Sequence, residues 1–73
     1  MRLPIFKPRE VVKILKKIGF VEARQTGSHL ILVNKTIKKI IPIPIHSKDI
    51  KRGLFLSIIK QADLTIDEFI KLL

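Results

Sequence analysis

"FVEARQTGSHLILVNKTIKKIIPI", residues 20–43, decides the fold. Three apolar-rich runs stand in it: "FVEARQ" (20–25), "HLILV" (29–33) and "IKKIIPI" (37–43). The turn formers "TGS" and "NKT" separate them. Short Val- and Ile-rich runs bounded by Gly, Ser and Asn read as strands. Pro42 has no N–H to give to a ladder, so the third run is an edge strand, or its pairing ends near Pro42. An antiparallel meander in sequence order satisfies that constraint.

The flanks change period. In "FKPREVVKILKKIGF" (6–20), Val11, Leu15 and Ile18 recur at helical spacing, and Val12 and Ile14 widen the apolar face. Pro8 suits the first helical position, and Gly19 the left-handed cap. Lys13, Lys16 and Lys17 fall off the stripe and read as a solvated face near the C-terminal end, where positive charge suits the helix dipole. In "KRGLFLSIIKQA" (51–62), Leu54, Phe55, Ile58, Ile59 and Ala62 form a second broad stripe. "TIDEFIKLL" (65–73) opens with a capping box of Thr65 and Glu68. The fold class is therefore α+β, in the order α-β-β-β-α with a three-stranded antiparallel sheet and a short extra C-terminal helix. One sheet face should pack the helices and the other stay free. Phe20, Phe55 and Phe69 fall on apolar periodicities and read as core; Phe6 is uncommitted.

Seventy-three residues make one domain, residues 1–73, with a thin stability margin: a chain this short buries only about 60% of its unfolded surface. No cysteine is present to brace it. "MRLPIFKPRE" lacks an apolar stretch of signal-peptide length, and charges or prolines interrupt every apolar run, so a cytoplasmic protein is expected. Fifteen Lys and Arg face six Asp and Glu, a net charge of +9. Residues 1–60 carry 14 basic and three acidic side chains, and residues 61–73 have a net charge of −2. A basic body with a mildly acidic tail suits a polyanion, nucleic acid being the usual one. A solubilising surface has the same composition. Without Trp or Tyr, contact with nucleic acid should rest on phosphates and depend strongly on salt.

Most catalytic chemistries lack their equipment. Gly19, Gly27 and Gly53 are too far apart for a phosphate loop. His29 and His46 have no carboxylate at ligand spacing, so no metal is expected. Ser28 and His29 are neighbours, and successive side chains of a strand point to opposite faces, which argues against a dyad. Cleavage of RNA needs less. The 2′-OH is a built-in nucleophile, and a histidine with several cations can move its proton and stabilise the phosphorane. His29 is suited by type. Arg24, across the turn, could clamp phosphate, and Lys35, Lys38, Lys39, Lys48, Lys51 and Arg52 offer further contacts. Spacing alone leaves His29 open between a structural strand residue and a catalytic one.

The succession of "KKIGF", "RQTGSH" and "IPIPIHSKDIKRGLFLSIIKQADLTIDEF" resembles the HicA-type mRNA interferase toxins of toxin–antitoxin modules, from about Pro8 to the C-terminus. The resemblance implies a fold like the double-stranded-RNA-binding domain. It further implies metal-independent endoribonuclease activity on mRNA, with the histidine of Gly-Ser-His, here His29, as the catalytic group. Ser28 then joins the phosphate-binding set, and His46 has at most a supporting role. The implied partners are RNA and a HicB-type antitoxin, with no cofactor. Two positions depart from the family: Leu30, where many relatives have a second histidine, and Asp63, where glycine is frequent. The residues themselves leave two rivals, a non-catalytic RNA-binding module of the same fold and a protein-interaction module docking an acidic partner.

Overall fold

The computed structural model describes residues 4–73. Its elements are α1 (Pro8–Lys17), β1 (Val21–Thr26), β2 (His29–Asn34), β3 (Lys39–Pro44), α2 (Arg52–Gln61) and α3 (Ile66–Lys71). The sheet has strand order β1-β2-β3 with both pairs antiparallel, the expected meander. Pro8 opens α1, and the Glu10 carboxylate accepts the Lys7 N–H at 2.9 Å. At the other end Gly19 takes φ +103°. The Gly19 N–H donates to the Lys16 carbonyl at 3.2 Å and the Phe20 N–H to the Leu15 carbonyl at 3.1 Å. These two bonds make a Schellman cap, in which glycine meets the left-handed geometry without strain.

The same device closes α2 with a different residue. The Asp63 N–H donates to the Lys60 carbonyl and the Leu64 N–H to the Ile59 carbonyl, with Asp63 at φ 58°. Asp63 thus occupies a left-handed position that favours glycine. Thr65 and Glu68 complete the capping box of α3 at 3.1 and 2.8 Å.

Alternation along the strands separates the two sheet faces. Leu30, Leu32, Ile41 and Ile43 are buried beneath the helices, together with Val11, Val12, Ile14 and Leu15 of α1 and Phe55, Ile58 and Ile59 of α2. Phe6, Phe55 and Phe69 form a triangle with ring centroids 4.9–5.0 Å apart, so Phe6 also belongs to the core. Among the described residues, none forms a layer upon the opposite sheet face. Ile31 and Val33 are half-buried there, while Val21 and Ile40 are 57% and 65% exposed.

Two details differ from the sequence reading. Leu54 is 41% exposed, because it sits in the first turn of α2, ahead of the buried stripe. Lys16 and Lys17 are not simply solvated: Lys16 pairs with Glu22, and Lys17 Nζ donates to the Leu72 carbonyl at 2.7 Å, tying α1 to the C-terminal end. Of the two alternatives for the third run, the edge strand holds: β3 lies at the edge of the sheet, and its pairing runs past Pro42 to Pro44. The Ile45 N–H donates to the Ser28 carbonyl at 2.9 Å, so by antiparallel alternation Ile43 and Ile41 occupy the hydrogen-bonded sites opposite Leu30 and Leu32. Pro42 and Pro44 fall between them, with their nitrogens toward the open edge. Neither proline interrupts the ladder.

Candidate functional site

The "TGS" segment becomes a two-residue hairpin loop, Gly27-Ser28, between the paired residues Thr26 and His29. Gly27 has φ +55° and Ser28 does not share the positive sign, the pattern of a type II′ turn with glycine first. Two contacts brace the loop: Ile45 on the Ser28 carbonyl, and a long one, 3.4 Å, from Gln25 Nε2 to the Gly27 carbonyl. His29 is the first residue of β2. It is exposed on the open sheet face, between Thr26 on one side and Pro44 on the other.

Ser28 and His29 do not point apart. Ser28 belongs to the turn, where strand alternation does not operate, and its Oγ lies 3.4 Å from His29 Nδ1. At that length the contact is weak, but it engages Nδ1 and leaves Nε2 without a protein partner among the described residues.

Arg24 pairs with Ile31 while Thr26 pairs with His29, so Arg24 and His29 share the open face as diagonal neighbours. His46 lies two residues beyond Pro44, in the turn closed by the Ser47 N–H on the Pro44 carbonyl at 3.2 Å. Lys48, Lys51 and Arg52 follow and lead into α2, whose N-cap, Lys51, makes no side-chain capping bond. The Ile50 N–H donates to the Phe6 carbonyl at 2.8 Å, drawing the starts of α1 and α2 together at this end of the sheet. Both helices therefore present their positive termini at the end where β2 begins.

Lys35, Lys38 and Lys39 are not part of this cluster. They surround the β2–β3 turn at the opposite end of β2, about 17 Å from His29 along a six-residue strand. Leu30 is buried and faces α1, so it lies on the other side of the sheet from His29. A histidine at that position would not share the open face.

A bulge between Glu22 and Arg24 hid another feature from the sequence pattern. It places Glu22 and Gln25 opposite Leu32 and Leu30, both on the helix side, where strict alternation would separate them. With α1 they line a groove that no residue spacing announces. Among the described residues, no group of three or more His, Cys, Asp or Glu side chains is arranged to hold a metal ion. No helix among them is long and apolar enough to cross a membrane.

The chain is thus a small α+β protein with a three-stranded sheet, an exposed histidine at a Gly-Ser turn and Arg and Lys around it, the residue types that contact with an anionic polymer requires. A family model described as the HicA toxin of bacterial toxin–antitoxin systems matches residues 8–64, and the chain belongs to that family. It is thus the toxin component of a toxin–antitoxin system. No curated protein matches the chain.

Proposed function

We propose that the 73-residue chain acts as a single double-stranded-RNA-binding-like domain that cleaves mRNA in the cytoplasm, without metal, through His29. The observation that carries this reading is the placement of His29, exposed on an open face, with Nδ1 against Ser28 and Nε2 free. In the proposed reaction the imidazole takes the 2′-OH proton as the 2′-oxygen attacks phosphorus. The P–O5′ bond then breaks, and the departing oxygen receives a proton. The products are a 2′,3′-cyclic phosphate and a 5′-hydroxyl end. Charge on the phosphorane falls to cations and oriented N–H groups. Arg24 is the nearest candidate on the same face. Lys48, Lys51 and Arg52, at the uncapped start of α2, supply a second set with the helix terminus behind them. His46 is a supporting group at the same end. Lys35, Lys38 and Lys39 extend the cationic track to distant nucleotides.

The antitoxin is proposed to be of the HicB type and to cover His29. The open sheet face suits such a cover, because apolar Ile31 adjoins Arg24 and His29 there and Val33, Val21 and Ile40 continue the same face toward the other end of the sheet.

Incubation of RNA with wild type and with His29→Ala, EDTA present throughout, tests the assignment. The expected result is cleavage by wild type alone, leaving cyclic-phosphate ends. Equal cleavage by both proteins overturns the role of His29, and cleavage of an all-deoxy strand overturns the 2′-OH mechanism. Binding without products identifies an RNA-binding module. Weak RNA affinity beside a tight, ribonuclease-insensitive protein complex identifies an interaction module.

A further inference from the structure

Arg9, Lys13 and Lys16 of α1 take no part in the site around His29, yet they border the groove between α1 and β1. Its volume is about 410 Å³, within the range of roughly 300–1,000 Å³ typical of small-molecule clefts. Because α1 and β1 are joined by a short connection and run in opposite directions, the groove has two distinct ends. The Lys16–Glu22 ion pair closes the end near the connection. The other end, bordered by Arg9, Gln25 and Ile45, opens at the Gly27-Ser28 turn, with His29 around the corner. The floor is apolar, made by Val12, Leu30 and Ile45. Glu22, the one carboxylate of the lining, is taken by Lys16, whereas Arg9 and Lys13, one helical turn apart, have no acidic partner among the described residues.

An apolar floor, an uncompensated cationic wall and one carboxamide thus meet in this groove. It matches a single nucleotide: a base against aliphatic side chains, its edge within reach of a group that both donates and accepts, and phosphate beside guanidinium and ammonium. We infer that this groove is a nucleotide subsite that receives one unstacked nucleotide of the RNA next to the cleaved phosphodiester. Arg9 and Lys13 hold its phosphate and Gln25 reads its base. Gln25 is free to do so, since its present contact with the Gly27 carbonyl, at 3.4 Å, is easily exchanged. Sequence preference in cleavage is then set on the helix side of the sheet, while the bond breaks on the open side. The subsite itself rests on RNA as the substrate, and only its adjacency to the cleaved bond rests on the role of His29.

The test uses 2′-O-methyl tetranucleotides, which bind without being cleaved through the 2′-OH. Affinities for the four homopolymers are measured with wild type, Arg9→Ala/Lys13→Ala and Gln25→Ala, and amide shifts are mapped on wild type. All three substituted residues are exposed, and thermal melting checks their folding. The double variant should lose about tenfold in affinity for every homopolymer, as expected for lost charged contacts. Wild type should distinguish best from worst base by about tenfold, and Gln25→Ala should flatten that to about twofold. Shifts should centre on Val12, Lys13, Gln25 and Leu30. Shifts confined to the open face around Ile31 and Val33, with affinity unchanged in the double variant, overturn the subsite and leave the catalytic reading intact. Displacement of the tetranucleotide by oligoglutamate at equal charge concentration overturns it in favour of an acidic-protein dock. Absence of binding overturns it outright. Conversely, groove binding together with unimpaired cleavage by His29→Ala keeps the subsite and removes the histidine.

Discussion

Asn34 Nδ2 donates to the carbonyl of Ile18 at 3.2 Å, joining the end of β2 to the C-cap of α1. Its Oδ1 meanwhile accepts from the N–H groups of Thr36 and Ile37, at 3.0 and 3.3 Å. One buried amide therefore satisfies a helix end and a turn at once. A Cβ on Gly19 would stand 3.2 Å from the same Nδ2, so glycine there admits the asparagine as well as the left-handed backbone. Asn34→Ala leaves the Ile18 carbonyl and two turn N–H groups short of partners. The expected loss is about 2 kcal/mol, of the size that follows when buried polar groups are orphaned. For a domain this small that lowers the melting temperature by about 10 °C. Thermal unfolding followed by circular dichroism gives the number, and a change below about 2 °C would show the three bonds to be replaced by water.

Pro42 and Pro44 keep the outer edge of β3 poor in donors. Of the outward-facing nitrogens at Ile40, Pro42 and Pro44, only that of Ile40 carries a hydrogen. An incoming strand finds half a ladder. Pro42→Val with Pro44→Thr restores both donors on a strand already rich in isoleucine, without removing any bond to β2. The variant should self-associate at concentrations where wild type stays in its original state. Sedimentation velocity across a concentration series decides the matter, and identical distributions for the two proteins remove this role from the prolines.

The strands, the helices and most of the core were legible because periodicity reports burial, and burial here follows period: Leu30 and Leu32 alternate inward, and Val11 and Leu15 share a helix stripe. Pro8, Gly19 and the Thr65–Glu68 box marked helix ends through local chemistry, which sequence carries in full. His29 was visible as a residue after a Gly-Ser turn, and the open face that exposes it followed from having helices on one side only. Three things were not visible. The bulge at Ala23 depends on the β1–β2 register, so Glu22 and Gln25 could not be placed on one face. The strand start at His29 was legible, but the contact of Ser28 with His29 depends on the backbone geometry of the Gly27-Ser28 turn, which residue types alone do not give. The remoteness of Lys35, Lys38 and Lys39 depends on strand length in space, whereas composition counts every lysine alike. Asp63 is the converse case, a departure in sequence that becomes intelligible only through its φ of 58°.

Asp63→Gly should raise stability. Relieving a left-handed non-glycine residue gains about 1 kcal/mol, and the greater freedom of glycine in the unfolded chain returns part of it. The net expectation is a gain of about 0.5 kcal/mol, or about 3 °C in melting temperature. Asp63→Ala, which keeps the strain and lacks the short polar side chain that tolerates it, should melt below wild type. Paired melts of the two variants read the sign directly, and a lower melting point for Asp63→Gly contradicts the strain argument.

Ser28 and His29 divide the proposed chemistry unequally. In that proposal the imidazole would exchange protons with RNA through Nε2, and Ser28, whose Oγ lies 3.4 Å from Nδ1, would only steady the ring. His29→Ala should therefore lower single-turnover cleavage by about 10³-fold, in the range for loss of a general acid–base group. Ser28→Ala should lower it by about tenfold with little change in RNA affinity, and Ser28→Thr, which keeps the hydroxyl, should recover most of that. A Ser28→Ala defect lying wholly in affinity would assign the hydroxyl to phosphate binding instead.

The two groups of cations should separate by salt dependence and substrate length. Lys48 and Arg52 stand at the α2 end near His29, so Lys48→Ala/Arg52→Ala should lower the cleavage rate of short and long RNA alike at saturation. Lys38 and Lys39 lie at the other end of β2, beyond the reach of a short oligonucleotide bound across His29. Lys38→Ala/Lys39→Ala should leave cleavage of a tetranucleotide unchanged and weaken binding of a long strand. Each lost phosphate contact should reduce the slope of log affinity against log salt by about 0.7 for a single strand. The double variant therefore lowers that slope by about 1.4 on long RNA. An equal loss on tetranucleotide and long RNA would mean that the strand crosses the sheet along β2 rather than entering at the hairpin turn.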